Sequence, residues 1–530
     1  MIDTLLSRGV VLDGTGNPWF RADITIYQGK ISKIGTCELE RVQRRIDAKG
    51  LVVAPGFIDI HSHSDNALLV NSRAESKIRQ GVTTEVIGNC GDSAAPINET
   101  IKNELKRTNA LIRQGEVRLD YSSLSEYASK LSKRGIAVNV VPLVGHSNLR
   151  KMTIGYENRP ANSQEIKTMK AILDRSMKQG AFGVSSGLIY PPGSYATTTE
   201  LIELAKVAAA YGGIYASHIR GEGSTLLAAV KEAIKIGKES NIPVQISHHK
   251  AGGKKNWGKV RQARVLIENA RKNGIDVTCD VYPYVASSFG LVNMLPEETQ
   301  EGGPERILAQ LGSPKFRRQV RAKMERGSLA SAHWDRTIIA HCPKHRDYQG
   351  KSVSDLARKS GKDPFEFAFD LLIEENLSVS VVRFGLAEKD VEYVLSYTNS
   401  MIGSDGSALA PYGPLSKGQP HPRNYGTFPR VLGVYAREKG VISINEAVRK
   451  MTSLPAQRLG LRDRGLIRPG AWADIVVFNP RTVIDRATFQ NSARYPLGIE
   501  HVFVNGVLTI SNGKHTGALA GKVLTRPDRN

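Results

Sequence analysis

The chain shows two kinds of alternation between apolar and polar residues. From Leu5 to Gly35, and again after Asp474, short apolar runs are broken by glycine, as in DITIYQGKISKIG and HVFVNGVLTISNGK. Such runs are typical of β-strands joined by tight turns. Between the two ends, apolar runs alternate with stretches of 3.6-residue periodicity, which predict amphipathic helices at Gln164–Gln179, Glu200–Ala210, Thr225–Glu239 and Lys259–Asn273. An alternation of strands and helices favours a parallel α/β architecture.

Eight apolar runs in the middle of the chain end at loops and are predicted to be strands. They are Gly56–His61, Val82–Gly88, Ile136–Gly145, Ala181–Ser185, Gly213–His218, Pro243–His248, Ile275–Val281 and Ser400–Asp405. Eight parallel strands close a barrel of the TIM type. We therefore predict an α/β fold, a (β/α)8 TIM-like barrel, with a small β-sandwich domain formed by both chain ends.

The domain boundaries follow from the same patterns. Residues 1–55 and 456–530 are expected to form the two parts of the β-sandwich, and residues 56–455 the barrel. The interval between the seventh and eighth strands, residues 282–399, is much longer than one β/α crossover. Because it contains the charged, Pro- and Gly-rich run LPEETQEGGPERI, we place an inserted lid subdomain at about 286–346, above the barrel mouth.

The net charge is strongly positive, since 73 Lys and Arg residues against 51 Asp and Glu residues give +22. An excess of this size raises the question of a nucleic-acid partner. The basic residues are dispersed, and the densest stretch, Lys315–Arg326, is predicted to be the solvated face of one helix. The sequence therefore favours a small-molecule substrate over nucleic acid, and it leaves the oligomeric state open.

The four cysteines are widely spaced, at Cys37, Cys90, Cys279 and Cys342, with no CxxC pair. This spacing indicates neither a disulfide framework nor a zinc knuckle, and it predicts a reducing compartment. The N-terminal segment lacks the pattern of a secretion signal, and no run of about 18 apolar residues occurs. We therefore predict a cytoplasmic protein that does not span a membrane.

Metal-binding residue types occupy the ends of several predicted strands. His61 and His63 form an HxH pair, and the period of two along a strand points both imidazoles to the same side. The carboxyl ends of barrel strands carry active sites. A thiolate, imidazoles and a carboxylate supply sulfur, nitrogen and oxygen donors that zinc binds. The predicted metal ligands are His61, His63, Cys90, His218, His248 and Asp405.

Several motifs resemble those of one known family. They are FIDIHSHSD, GVTTEVIGNCGDSAAP, GAFGVSSGLIYPPGSYATTTEL, ASHIRGEG, ISHHKAGG, DVYPYVASS, GSDGSAL and DRGLIRPGAWADIVVFNP. Over essentially the whole chain they are similar to the N-acyl-D-amino-acid deacylases, or D-aminoacylases, of the amidohydrolase superfamily. The HxH pair is common to the superfamily, whereas NCG, SSGLxYxPG and HHKAGG narrow the resemblance to this branch.

The resemblance implies a barrel with a flanking β-sandwich and a zinc ion held tightly by Cys90, His218 and His248. It also implies a second, weaker metal position at His61 and His63, for which the cysteine sulfur can bridge. Many relatives use a carboxylated lysine as the bridge, and because cysteine replaces it here, no modified lysine is expected. The choice of D over L substrates is implied by the resemblance alone.

The expected chemistry is hydrolysis of the amide bond of an N-acyl-D-amino acid, which releases a carboxylate such as acetate. Zinc lowers the pKa of a bound water toward ~7 and makes hydroxide available for attack on the carbonyl carbon. Asp405 is expected to act as the general base and then as the general acid toward the leaving nitrogen. The electrophile for the carbonyl oxygen is either the metal or a neighbouring histidine.

Recognition of the substrate's α-carboxylate requires cations and hydroxyls outside the metal centre. By similarity, the candidates are Lys250, Tyr282, Ser288 and Arg383. The Gly-rich stretch AGGKKNWGK after Lys250 lacks the spacing of a phosphate-binding loop and is predicted to be a mobile loop near the substrate. His146, at another strand end, has either an accessory or a purely structural role.

Two other classes of function stay open. One is a different amidohydrolase reaction, such as the opening of a cyclic amide (a hydantoin or dihydropyrimidine), cleavage of an isoaspartyl dipeptide or removal of a carbamoyl group. Those branches more often carry a lysine or carboxylate bridge where Cys90 stands. The other is a basic scaffold or nucleic-acid-associated protein, which would have no need of the predicted ligands.

Overall fold

A computed structural model describes residues 2–37, 41–326 and 333–526. The parts of the predicted terminal domains and insert that fall on residues 1, 38–40, 327–332 and 527–530 lie outside the described residues. The strands are β1 Ile2–Val11, β2 Phe20–Tyr27, β3 Lys30–Gly35, β4 Val42–Asp47, β5 Val52–Pro55, β6 Phe57–Asp59, β7 Val82–Ile87, β8 Asn139–Pro142, β9 Val144–Gly145, β10 Gly183–Gly187, β11 Ile214–His218, β12 Val244–Ile246, β13 Val277–Val281, β14 Ala286–Gly290, β15 Thr337–His341, β16 Ser380–Phe384, β17 Ser400–Ile402, β18 Ile475–Phe478, β19 Ile499–Val504, β20 Val507–Ser511 and β21 Lys514–His515.

Helices alternate with the strands through the middle of the chain. The α-helices are α1 Ala67–Val70, α2 Glu75–Ile78, α3 Glu99–Thr108, α4 Ala110–Arg113, α5 Leu124–Arg134, α6 His146–Thr153, α7 Ser163–Lys178, α8 Thr198–Ala210, α9 Leu226–Ser240, α10 Lys259–Lys272, α11 Gly303–Leu311, α12 Pro314–Arg326, α13 Val353–Lys359, α14 Pro364–Glu374, α15 Glu388–Ser396, α16 Arg423–Arg430, α17 Ile444–Met451 and α18 Ser453–Leu459. A π-helical segment, Val431–Glu438, continues α16. Short 3₁₀ turns lie at Gly193–Tyr195, Lys254–Asn256, Leu291–Met294, Glu297–Thr299, Trp334–Arg336, Arg346–Tyr348 and Gly413–Ser416.

The helices of the predicted amphipathic stretches begin and pack as their sequences require. At the start of α7, the Asn162 side chain accepts a hydrogen bond from the backbone N–H of Glu165, whose carboxylate accepts one in return from the backbone N–H of Asn162. This capping box satisfies backbone donors that have no partner within the helix. Met169, Leu173 and Met177, spaced four residues apart, form its buried stripe.

Eight parallel strands form the central barrel. β6, β7 and β8 are hydrogen-bonded in that order, and β9 to β13 continue to β17. β8 and β9 are one interrupted strand, separated by Leu143 alone. The barrel closes where the backbone N–H of Asp405 donates to the carbonyl of His61 (2.8 Å) and Ser62 pairs with Gly406. Each of the eight predicted runs overlaps one of these strands, so the prediction of a TIM-type α/β barrel is confirmed.

The two ends of the chain meet in one nine-stranded sheet. Its order is β21-β20-β19-β18-β5-β1-β2-β3, with β4 beside β1. The link between the two ends is the antiparallel pair of β5 and β18. Both ends also contribute to one apolar cluster, which includes Ile24, Val53, Ile475 and Phe503. The glycine-broken runs at the two ends therefore belong to a shared structure, although they lie more than 400 residues apart along the chain.

The long interval between β13 and β17 contains a small sheet and its own core. β14 and β15 both pair antiparallel with β16, and α11 to α14 pack beside them around apolar residues from Leu291 to Val381. This region runs on to Phe384, beyond the end of the insert predicted at residue 346. The boundary lies further along the chain because β16 belongs to the same sheet. It pairs with strands that precede it by tens of residues.

The basic stretch Lys315–Arg326 lies in α12 and is paired with acidic neighbours. Arg317 contacts Glu366 and Asp370 at 2.7 and 2.8 Å. The opposite face of the helix buries Val320 and Met324 in the core of the insert. In the described part of the chain, no helix combines the length and the apolar character needed to cross a membrane.

A buried lysine holds the seam of the barrel together. The ammonium of Lys77 donates to Asp59 Oδ2 (2.7 Å), to Ser404 Oγ (2.6 Å) and to the carbonyl of Gly406 (3.1 Å). Its charge also lies 3.4 Å from Glu85. All of these polar groups are shielded from solvent. Lys77 therefore links β6, β7 and the backbone on both sides of Asp405.

Replacement of Lys77 by methionine is expected to lower the free energy of unfolding by about 3–5 kcal/mol. The change leaves the buried carboxylate of Asp59 without its cation, and such an unpaired charge is costly. Chemical denaturation measures the loss. Lys178→Met is the matched control, since Lys178 forms an exposed pair with Asp174 and its removal should change the midpoint little. Equal midpoints for the two variants would contradict the prediction.

Candidate metal centre and active site

The predicted ligands follow the carboxyl ends of five barrel strands. His61 and His63 come after β6, Cys90 after β7, and His218 ends β11. His248 follows β12 and Asp405 follows β17. Because all barrel strands run in the same direction, their carboxyl ends meet at one mouth.

The donor atoms converge in two groups that share Cys90. In the first, Cys90 Sγ lies 3.5 Å from His248 Nε2, which is 2.9 Å from His218 Nδ1. In the second, Cys90 Sγ lies 3.3 Å from His61 Nε2, and Asp405 Oδ1 lies 2.9 Å from His63 Nε2. Within each group all donor atoms are within 4.8 Å of one another. Each group could hold one metal ion, and Cys90 belongs to both groups.

The chemistry of the donors also fits zinc. Burial alone would raise the pKa of the Cys90 thiol, but the charges of His61 and His248 hold it well below its ordinary value. A thiolate is the form of cysteine that binds metals. Together with two imidazoles it forms a three-ligand set that leaves one tetrahedral position for water or substrate.

Three of the ligands lie in turns with a left-handed backbone. The φ angles of Cys90, His248 and Asp405 are 54°, 33° and 50°. Residues with a side chain adopt this region at a cost, and such strain clusters at functional sites. At His248 the backbone N–H donates to Asp280 Oδ1 (2.8 Å), which helps to hold the turn. The sharp turns aim the donor atoms inward from the strand ends.

Carboxylates contact the far side of the ligand histidines. Asp280 Oδ1 lies 3.2 Å from His61 Nδ1, and Glu222 Oε1 lies 2.9 Å from His248 Nδ1. The ammonium of Lys250 donates to the same Glu222 oxygen at 2.6 Å. Such partners fix the orientation and tautomer of a metal-binding imidazole. Glu222 therefore joins a candidate metal ligand to a candidate substrate-binding residue.

Asp405 forms a buried ion pair with Arg423. Arg423 Nη1 lies 2.7 Å from Asp405 Oδ2. Burial alone would raise the pKa of Asp405, but the charges of Arg423 and His248 hold it well below its usual range. The carboxylate is therefore ionised at neutral pH, which is the state that a general base requires. The Arg423 guanidinium also lies 5.0 Å from the ring of Tyr282.

A cavity of about 750 Å³ opens over these residues. Its wall includes His63, Cys90, His218, His248 and Asp405, together with the predicted substrate-binding residues Lys250, Ser288 and Arg383. Residues of the Gly-rich stretch after Lys250, among them Gly253 and Trp257, also line it, as does Arg336 of the insert. A cavity of this size with a few convergent polar groups is typical of a small-molecule site.

The structure thus brings the six predicted metal ligands together and places three of the four predicted substrate-binding residues on the cavity wall. The fourth, Tyr282, packs between the cations of Lys250 (5.6 Å) and Arg423 (5.0 Å). Its hydroxyl is buried and has no hydrogen-bond partner among the described residues. His146 is absent from this wall and pairs with buried Glu200 at 2.8 Å.

Sequence reasoning missed four residues of the site: Glu222, Asp280, Tyr190 and Arg423. Glu222 and Tyr190 belong to motifs already singled out, ASHIRGEG and GLIYPPG. Arg423 stands in HPRNYG, at the start of α16, and a basic residue in the segment after Asp405 was the available signal. Asp280 lies inside the buried strand β13, where a charged residue needs a partner.

A closed β/α barrel with a thiolate, imidazoles and a carboxylate at its mouth defines a metal-dependent hydrolytic enzyme. The amidohydrolase family matches residues 44–510. A D-aminoacylase of Alcaligenes xylosoxydans xylosoxydans is 38% identical over 524 residues, which are 99% of this chain and 98% of that protein.

Solved structures agree with this similarity. An N-acyl-D-glutamate deacylase from Bordetella bronchiseptica, complexed with zinc and a phosphonate that mimics the tetrahedral intermediate, superposes with a TM-score of 0.83 at 33% identity and covers 99% of both chains. A D-aminoacylase with a binuclear metal centre gives a TM-score of 0.82 at 36% identity, over 99% of this chain and 100% of that one. The chain belongs to the N-acyl-D-amino-acid deacylase family of the amidohydrolases, which confirms the resemblance seen in its motifs.

Proposed function

We propose that this protein is a zinc-dependent N-acyl-D-amino-acid deacylase. It hydrolyses the amide bond of an N-acyl-D-amino acid and releases a carboxylate, such as acetate, and the D-amino acid. The observation that carries the proposal is Cys90, whose sulfur is shared by two donor groups at the mouth of a substrate-sized cavity. Relatives and neighbours with this activity cover nearly the whole chain.

Cys90, His218 and His248 would hold the tightly bound zinc. His61, His63 and Asp405 would hold a second, weaker ion together with the Cys90 sulfur. Bound zinc supplies a Lewis acid and lowers the pKa of water in its coordination sphere.

Asp405 is the general base and acid in this proposal. The attacking water adds its oxygen to the carbonyl carbon and gives a proton to the Asp405 carboxylate. The same proton then passes to the amide nitrogen as the carbon–nitrogen bond breaks, so the products are a carboxylic acid and an amine. Tyr190 lines the large cavity, with its ring centroid 4.9 Å from that of His218. Burial raises the pKa of Tyr190, whose phenol therefore keeps its proton and can donate to the carbonyl oxygen.

Cations and hydroxyls on or beside the cavity wall would bind the α-carboxylate of the substrate. We assign this role to Lys250, Tyr282, Ser288 and Arg383, and add Arg423 because it is buried beside Asp405. Lys250 is already paired with Glu222, so it carries little net attraction for an anion by itself. An arginine offers the planar fork that matches a carboxylate.

Arg423→Met is expected to lower kcat/KM for N-acetyl-D-leucine by roughly 10² or more, since a buried charge-assisted contact and the ion pair to Asp405 are both lost. Arg383→Met should cause a smaller loss, because the ion pairs of Asp405 among the described residues are with His61, His63 and Arg423. Steady-state kinetics with N-acetyl-D-leucine and with its analogue that lacks the carboxylate separate the two roles. If Arg383→Met slows both substrates equally, its role in binding the carboxylate is wrong.

The outer parts of the fold would support the barrel. We propose that the nine-stranded sheet is an accessory β-sandwich and that the insert near 286–346 is a lid. Support for the lid comes from Phe289, Met294 and Arg336, which line the roof of the cavity.

The direct test is release of free amino acid from paired N-acetyl-D- and N-acetyl-L-amino acids by zinc-loaded enzyme. Methionine, leucine, phenylalanine and glutamate derivatives cover apolar and acidic side chains. Release from the D series alone would support the proposal. Absence of release from either series, with zinc bound, would overturn it and direct the search to cyclic amides and isoaspartyl dipeptides.

A further inference from the structure

A second, smaller cavity of about 220 Å³ lies beside the first. His63, Ser288, Asp405 and Arg423 line both cavities. Lys250 and Arg383 line only the large one, whereas His341 and Lys417 line only the small one. The two cavities therefore adjoin the same carboxylate, that of Asp405. A bound molecule would meet different side chains in each cavity.

The substrate has two parts that leave the reacting carbon in different directions. The nitrogen carries the amino acid, whose carboxylate needs the cations of the large cavity. The acyl chain is bonded to the same carbon and must therefore occupy other space next to Asp405. The small cavity offers such space, because His63 and Asp405 stand on its wall and Lys250 does not.

We infer that the small cavity is the acyl pocket, and that it selects short acyl groups, including those that end in a carboxylate such as succinyl. This inference rests on the proposed deacylase function and deepens it, because it names the acyl half of the substrate.

The size of the small cavity limits the chain length. At ~30 Å³ for each water-sized group, it has room for roughly seven such groups. Acetyl and succinyl groups fit within that volume, and a decanoyl chain exceeds it. Leu409 and Ser380 stand on its wall and set its width.

The wall of the small cavity also favours a polar chain end. Lys417 is a cation at its exposed rim and donates a hydrogen bond to the neutral side chain of Gln114 at 2.6 Å. His341 adds a buried ring nitrogen, Nδ1, that has no hydrogen-bond partner among the described residues. The single acidic residue on this wall is Asp405, in the part of the chain that the structure describes. A methylene chain would bury the Lys417 ammonium and the His341 ring nitrogen without offering either of them a hydrogen bond.

The experiment compares the acetyl, butyryl, succinyl and decanoyl derivatives of D-leucine. Succinyl and butyryl have the same number of carbon atoms, so their ratio of kcat/KM reports the terminal carboxylate. We expect succinyl to exceed butyryl by roughly tenfold, which is the effect of one charge-assisted contact. Lys417→Met should abolish that excess. A ratio unchanged by Lys417→Met would overturn the role of the cation.

Two further variants test the size of the pocket. Leu409→Ala enlarges the small cavity and should raise the decanoyl to acetyl ratio, whereas Ser380→Met fills it and should lower the butyryl to acetyl ratio. Val292→Ala is the matched control, because Val292 lines only the large cavity and should alter the preference for the amino-acid side chain instead.

The outcomes distinguish failure of the acyl-pocket assignment from failure of the proposed deacylase function. Failure to release the amino acid from these derivatives and from the N-acetyl derivatives of D-methionine, D-phenylalanine and D-glutamate would reject the deacylase function itself. Release of D-leucine with an acyl preference that follows Val292→Ala, and not Leu409→Ala or Ser380→Met, would reject the acyl pocket and leave the deacylase intact.

Discussion

Cys90→Ser is expected to remove the tightly bound zinc and to lower kcat/KM by roughly 10³ or more. Zinc as a Lewis acid contributes several kcal/mol to the stabilisation of the transition state, and each ~1.4 kcal/mol corresponds to a tenfold change in rate. Cys90 is the residue on which the site depends most, because its sulfur belongs to both groups of candidate metal ligands. A serine hydroxyl is a poorer zinc ligand and does not ionise at neutral pH.

Zinc content by elemental analysis and steady-state kinetics, measured on the same preparation, check this prediction. Cys279→Ser is the matched control. Cys279 is also a buried thiol in a barrel strand, but it is absent from both donor groups. This control should keep its zinc. Stoichiometric zinc and full activity in Cys90→Ser would contradict the assignment.

The barrel and its ligands could be predicted from sequence because both depend on local patterns. A buried parallel strand is a continuous apolar run, and a ligand at its carboxyl end is the polar residue that stops the run. His218 ends β11, and His248 lies two residues after the end of β12. The convergence of six such residues at one mouth is then a consequence of parallel strands in a closed barrel.

The site residues that the sequence did not predict owe their roles to contacts between segments that are distant along the chain. Arg423 reaches Asp405 from a helix that begins after a loop, and no periodicity indicates which way that loop turns. Glu222 lies four residues beyond a predicted ligand, but its importance comes from Lys250, in the loop after the next strand. The pairing of β16 with β14 and β15 was not predicted for a similar reason, since it is long-range and antiparallel.

Asp405→Asn is expected to lower kcat by roughly 10²–10⁴, the usual contribution of a positioned general base. Asparagine has nearly the same shape but cannot accept the proton from water. The tightly bound zinc should stay, because Cys90, His218 and His248 form a group that excludes Asp405. Asp485→Asn is the matched control, since Asp485 is another largely buried carboxylate paired with an arginine, Arg430, at 3.2 Å. Its activity should change far less.

The dependence of kcat/KM on pH distinguishes a general base at Asp405 from a residue with a purely structural role. Asp405 can act as a base only when its carboxyl group is ionised. Burial opposes this ionisation, but the charges of Arg423 and His248 favour it and hold the pKa of Asp405 well below its ordinary value. The acid limb of kcat/KM that belongs to Asp405 should therefore lie below the usual range of a carboxyl group. Removal of the cation in Arg423→Met leaves the burial in place, so the pKa must rise and the acid limb must move to higher pH. An acid limb at the same pH in Arg423→Met and in the parent enzyme would show that a group other than Asp405 accepts the proton.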